Sequence, residues 1–93
     1  MTQRIVIAWI SAEAGYLYYL HGLIRKHIRD NYNDSLCEKE LLDKLYYLGI
    51  AIKNAKTYAA FKSIHKQLEF VLKCYNSLHK TALTISKLMK DNK

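Results

Sequence analysis

Residues 61–89 read FKSIHKQLEFVLKCYNSLHKTALTISKLM, and within them Phe61, Ile64, Leu68, Val71, Tyr75, Leu78, Ala82, Ile85 and Met89 recur at alternating steps of three and four. Apolar residues at that alternation fall along one stripe of an α-helix, the pattern of a coiled-coil seam. Read as one helix, the stretch is about 42 Å long at about 1.5 Å per residue. A seam of that length needs a long apolar partner, drawn from the rest of the chain or from a second copy.

Upstream, Cys37, Leu41, Leu45, Leu48, Ile52 and Ala55 form another stripe, out of phase with the one that begins at Phe61. A discontinuity therefore lies between them, with Asn54 or Thr57 as the capping residue of a new helix. One bent helix over 36–90 is the alternative, because no glycine or proline enforces a turn there. Farther upstream, Arg29-Asp30-Asn31-Tyr32-Asn33-Asp34-Ser35 is a cluster of turn formers, and Ser35 stands at capping-box spacing from Glu38. The helix before this break ends in Arg25, Lys26 and Arg29, where cations meet the negative end of the helix dipole. The helix after it opens with Glu38, Glu40 and Asp43, where the dipole favours anions.

The expected fold is all-α: a single domain over 1–93, built as an antiparallel bundle of three helices at about 3–29, 36–54 and 57–90, the last one long. Because the middle helix is the shortest, part of a seam stays uncovered, and a homodimer completes it.

Composition bounds the function. Ninety-three residues with 51% apolar side chains, no proline and three glycines make one small core, not a multidomain enzyme. Eight tyrosines exclude a disordered tail, which is poor in aromatic residues. Cys37 and Cys74 have no metal-type spacing and form no dense disulfide framework, so both read as reduced thiols of a cytoplasmic protein. The mostly apolar run Ile5 to Ile24 has the length of a membrane span. It contains Glu13, His21 and two glycines, and a central carboxylate alone costs about 2.5–3.5 kcal/mol on insertion, so the membrane reading is set aside. The short apolar run before Ala12-Glu13-Ala14 does not make a signal peptide.

Motifs for catalysis are missing: there is no His-Glu-x-x-His, no paired Glu-x-x-His, no glycine-rich phosphate loop and no Gly-x-Ser-x-Gly. His21, His27, His65 and His79 have no ligand spacing within one helical turn, and they read as structural or surface residues. The expectation is a non-enzymatic protein without metal or cofactor.

What remains are surfaces. A heptad on the first helix with Arg4, Ser11, Tyr18 and Arg25 outside places Val6, Trp9, Glu13, Tyr16, Leu20, Leu23 and His27 toward the core, with Glu13 in an apolar seam. A buried carboxylate needs a donor or a proton, so Glu13 reads as a paired register residue or a contact for a partner. Ala8, Gly15 and Gly22 repeat every seven residues and permit close helix approach, inside the bundle or between copies. Tyr16, Tyr18, Tyr19, Tyr46 and Tyr47 are dense, and tyrosine combines large contact area with a polar tip. With Glu13 they form the candidate partner-binding set, set against the plain reading of tyrosines at the core edge.

Lys66, Lys73, Lys80 and Lys87 also repeat every seven residues, with Lys62 and Lys90 on an adjoining row. Lys44 to Lys90 holds nine lysines and one acid, whereas Asp30 to Asp43 holds five acids and one lysine. Such a row is either the solvated outer face of a helix or a track for a polyanion. The sequence therefore points first to a small basic regulatory or inhibitory protein that binds another protein through a helical surface. A nucleic-acid-binding bundle, using Lys62, Lys66, Lys73, Lys80, Lys87 and Lys90, is the alternative.

Overall fold

The computed structural model describes residues 2–31 and 36–91, with side chains over 9–31 and 38–91. Among the described residues every regular element is an α-helix: α1 (Thr2–Asp30), α2 (Leu36–Asn54), α3 (Tyr58–His79) and α4 (Ile85–Asp91). Four helices stand where three were expected. The particle measures 50 × 26 × 17 Å, so α1, about 43 Å long at about 1.5 Å per residue, runs nearly its full length. Its radius of gyration, 14.3 Å, exceeds the roughly 12 Å of a compact chain of this size. An elongated small protein leaves much of each helix in contact with solvent.

In a chain without proline, asparagines stop the helices. The Asn31 amide nitrogen Nδ2 donates to His27 O at 2.8 Å at the end of α1, and Asn54 Nδ2 donates to Ile50 O at 3.0 Å at the end of α2. Each side chain adds a second donor to a carbonyl of the last turn, His27 O also accepting from Asn31 N at 3.2 Å. Thr57 then caps α3, its hydroxyl accepting from Ala60 N at 3.2 Å, which settles the discontinuity in favour of two helices rather than one bent one. The capping-box position Ser35 lies outside the described residues.

The core follows the stripes in part. Leu45, Leu48, Ile52 and Ala55 of the α2 stripe are buried with Leu41 beside them, while the Cys37 side chain lies outside the described residues. On α3 the seam holds from Phe61 through Ile64, Leu68 and Val71 to Tyr75, all buried, with Leu72 added. Beyond Tyr75 the expectation of one helix to residue 90 is corrected. Lys80 adopts φ 53°, ψ 44° and ends α3, Leu78 is 46% exposed, and Ala82 lies in the exposed connection.

Asn76 organises that break. Its Oδ1 accepts from Thr81 Oγ1 at 2.8 Å and from Leu83 N at 3.1 Å, and its Nδ2 donates to Leu83 O at 2.8 Å. Thr84 begins α4, its hydroxyl accepting from Lys87 N at 3.1 Å. Ile85 and Met89 pack at the core edge, and Leu88 is buried.

The face of α1 is corrected as well. Its buried residues are Leu17, Leu20, Leu23, Ile24 and Ile28, so the helix is rotated by roughly one residue from the expected heptad. Trp9 and Tyr16 are exposed, Glu13 and His27 are half-buried, and Gly15 and Gly22 face open space. The physical reason is that aliphatic side chains bury without a polar atom to satisfy, whereas tyrosine and tryptophan keep a polar tip in water when placed at an edge. α1 packs on α2, α3 and α4, and α2 packs on α3.

Candidate interaction site

Because successive residues on a helix point about 100° apart, Tyr16 and Tyr19 share one face of α1, and Tyr18 leaves on another. Tyr16 stacks on His65 of α3, with centroids 6.4 Å apart and rings 13° from parallel. Tyr18 donates a long hydrogen bond, 3.4 Å, to Gly49 O of α2. Tyr19 is exposed on neither contact. The candidate partner-binding residues therefore divide between two surfaces rather than forming one.

On the α1–α2 side, His21 Nε2 lies 2.6 Å from Leu45 O, and Gly49 leaves the room for the ring: a Cβ there would meet His21 Nε2 at 3.3 Å. Beside this contact is a cavity of about 480 Å³ lined by Arg25, Arg29, Asp43, Tyr46, Ile50 and Lys53, among others. Tyr46 and Tyr47 are 66% and 67% exposed and meet edge to face at 5.5 Å.

The larger depression lies between α3 and α4. It has a volume of about 690 Å³ and is lined by Tyr16 from α1, by Lys66, Phe70 and Lys73 from α3, and by Leu83 and Ile85 opposite. A second depression of about 340 Å³ shares Tyr16, His65, Lys66 and Glu69 with it and extends to Glu13, Lys62 and Tyr58. The two adjoin along α3 through these four residues and together form the α3 groove face. Trp9 lies against two residues of the second depression, stacked on Tyr58 at 6.4 Å and edge-on to Phe61 at 5.6 Å. Glu69 within the groove is held by His65, Nδ1 to Oε1 at 2.7 Å.

This groove joins the two sets of residues that the sequence kept apart. Glu13 and Tyr16 from the protein-binding set line it together with Lys62, Lys66 and Lys73 from the lysine row. All six lysines of that row are exposed, but Lys80 sits in the turn and Lys87 and Lys90 ride on α4, so the straight row over four heptads does not exist. Among the described residues none of Lys62, Lys66 and Lys73 is paired with a carboxylate. Sequence reasoning missed Phe70, which is 59% exposed. The signal was there: a large residue out of phase with the seam and set between Lys66 and Lys73.

Glu13 needs no buried donor, since it sits at the groove edge. Among the described residues the fully buried carboxylate is Glu38, whose Oε1 is 2.6 Å from His79 Nε2. His79 in turn packs on Tyr75 at 4.3 Å, and Tyr75 meets His27 edge to face at 5.3 Å. Burial, assisted by the Glu38 carboxylate, pushes the Tyr75 phenol above the ordinary tyrosine range. Each of the four histidines thus has a contact within the fold. Cys74 is a half-buried free thiol. Among the described residues no three potential ligands are grouped to hold a metal ion, and no helix is long and apolar enough to cross a membrane.

No protein family, curated protein or solved structure matches this chain.

Proposed function

We propose that this chain is a non-enzymatic regulatory or inhibitory protein that binds another protein through its helical surface. The observation that carries the reading is the number of large apolar side chains left in water. Trp9, Tyr16, Tyr18, Tyr19, Tyr46, Tyr47, Ile50, Tyr58, Phe70 and Leu78 are all exposed on a protein of 93 residues. Six of these are tyrosines, whose rings give contact area at low entropy cost and whose hydroxyls keep the free protein soluble. Scattered exposed apolar residues are ordinary, whereas a concentration of them in grooves marks interaction sites.

In this reading the chain is one antiparallel bundle domain of the cytoplasm that acts by occlusion or scaffolding, as a homodimer. Its support is the long exposed α1 face and the elongated shape. The second reading, nucleic-acid binding, draws on the net charge of +7 and on Lys62, Lys66 and Lys73 standing free on one face of α3. Lys80, Lys87 and Lys90 add charge nearby but no longer extend the row.

Light scattering of the purified protein, alone and with a short fluorescent duplex at low and raised salt, separates the two. A stable dimer that ignores the duplex and captures a protein partner, with capture lost in Tyr46→Ala/Tyr47→Ala or Phe70→Ala, supports protein recognition. Salt-sensitive duplex binding supports the second reading, its slope in log affinity against log salt approaching about 2.7 if three lysines meet phosphates. A monomer that does neither sinks both.

A further inference from the structure

We propose that the groove between α3 and α4 receives an acidic amphipathic helix of a partner protein. The proposal rests on the protein-binding reading and names the surface and the partner's chemistry. α4 packs on α1, and the cleft between it and α3 stays open. Its apolar surface comprises Phe70, Leu83 and Ile85 over the buried Leu72, and the adjoining depression carries aromatic surface from Tyr16 to Tyr58. Phe70 is the most telling of these, because it has no hydroxyl to gain from water and is nonetheless 59% exposed.

Charge defines the occupant. Lys62, Lys66 and Lys73 stand along the α3 lip without carboxylate partners among the described residues, while Glu13 marks the α1 side. The groove is therefore net positive along the α3 lip, where three lysines outnumber Glu69 and His65 engages that carboxylate, and negative at the α1 side. A helix laid in it places acids against the lysines and a basic residue near Glu13, with apolar anchors at i, i+3 or i+4, and i+7 on Phe70 and its neighbours. Lys62 and Lys73 stand eleven positions apart on α3, about 16 Å along the axis, so a ligand helix of about 11–14 residues spans them. Nucleic acid fits less well. A phosphate backbone has no basic residue to set against Glu13 and no apolar stripe for Phe70, and Tyr16 and Trp9 already have ring faces turned to His65 and Tyr58.

The test is a displayed library of 14-residue helix-forming peptides with randomised faces, selected on the whole protein. The expected winners carry an apolar stripe edged by Asp or Glu. Their affinity falls about tenfold or more on Phe70→Ala and on Lys66→Glu/Lys73→Glu, and it is unchanged on Tyr46→Ala/Tyr47→Ala. Peptides with lysine in place of their acids recover binding to the Lys66→Glu/Lys73→Glu variant. All these positions are exposed, and circular dichroism checks that each variant folds. Winners that depend on Tyr46 and Tyr47 overturn the groove and leave protein recognition standing. A single-stranded oligonucleotide that binds with Phe70 dependence, a dimer that Phe70→Ala dissociates, or a selection without a groove-dependent winner overturns the proposal.

Discussion

His79 Nε2 lies 2.6 Å from Glu38 Oε1, joining the last turn of α3 to the first turns of α2. The geometry is off the line of a hydrogen bond, so this is a close contact of imidazole and carboxylate rather than a directional bond. It matters because Glu38 is wholly buried, and His79 is one of the groups that offset the loss of water around its carboxylate. His65 and Glu69 make a contact of nearly the same length, 2.7 Å, on the exposed face of α3. Equal distance does not mean equal weight. His79→Ala is expected to lower stability by about 1–3 kcal/mol, and His65→Ala by no more than about 1 kcal/mol. Urea denaturation of the two variants checks the order, and equal losses refute it.

Tyr75 gives the protein an alkaline limit. Its phenol is held above the ordinary range first by burial and then by the Glu38 charge, so the folded chain binds that proton more tightly than the unfolded chain. Stability from this term is fully present below about pH 10, the unfolded value, and is lost as pH rises through the higher folded value. Tyr75→Phe is expected to flatten the alkaline limb of a stability-against-pH curve relative to wild type. A limb of unchanged slope removes Tyr75 as its cause.

Much of this was legible because stripes of aliphatic residues dictate burial. The α2 stripe at Leu45, Leu48, Ile52 and Ala55 and the α3 seam to Tyr75 needed only helical periodicity. The end of α3 was not legible by that means. Leu78, Ala82, Ile85 and Met89 keep the spacing across a connection that periodicity cannot see, and no Gly or Pro marks it. The break lives in Asn76 and in a lysine at positive φ, both chemically plain residues. On α1, two stripes shared Leu20 and Leu23, and the aliphatic one won over the one bearing Trp9, Glu13 and Tyr16. The groove was illegible because it is made by α4 lying on α1, a packing choice no local pattern encodes.

The three glycines should separate by what surrounds them. Gly15 and Gly22 lie within α1 with no atom within 4 Å of an added Cβ. Alanine at either is expected to stabilise the fold by about 0.5–1 kcal/mol through lower backbone entropy in the unfolded chain. That corresponds to a melting temperature raised by several degrees, since about 1 kcal/mol moves a domain of this size by about 4–8 °C. At Gly49 the new methyl would press on His21 at 3.3 Å, and that ring is tied to Leu45 O. Gly49→Ala is expected to melt below both. Thermal scans in which all three alanines behave alike contradict this account.

Lys80 is the non-glycine residue with positive φ among those described. A left-handed conformation costs a side-chain-bearing residue about 1–2 kcal/mol, and glycine relieves it while adding entropy to the unfolded chain. Lys80→Gly is expected to gain about 0.5–1 kcal/mol, and Lys80→Val to lose stability because a branched side chain resists that region. Melting temperatures that rank valine above lysine would show the turn to be other than described.

Asn76 links stability to the groove. Its one amide makes three bonds to Thr81 and Leu83, and Leu83 with Ile85 forms the wall opposite Phe70. Asn76→Ala removes the partners of a backbone N–H and a backbone carbonyl at a half-buried site, at a cost of about 2 kcal/mol. The loss should be local, because the α1–α2–α3 core around Leu20, Leu45 and Leu68 does not involve this amide. Hydrogen exchange is expected to speed up over residues 81–91 while residues 17–28 keep their protection. Groove-dependent peptides are expected to bind Asn76→Ala more weakly through loss of the preformed wall, with affinity recovering as temperature falls and α4 redocks. Uniformly faster exchange along the chain would mean that α4 and the core unfold together, and the wall could not then move on its own.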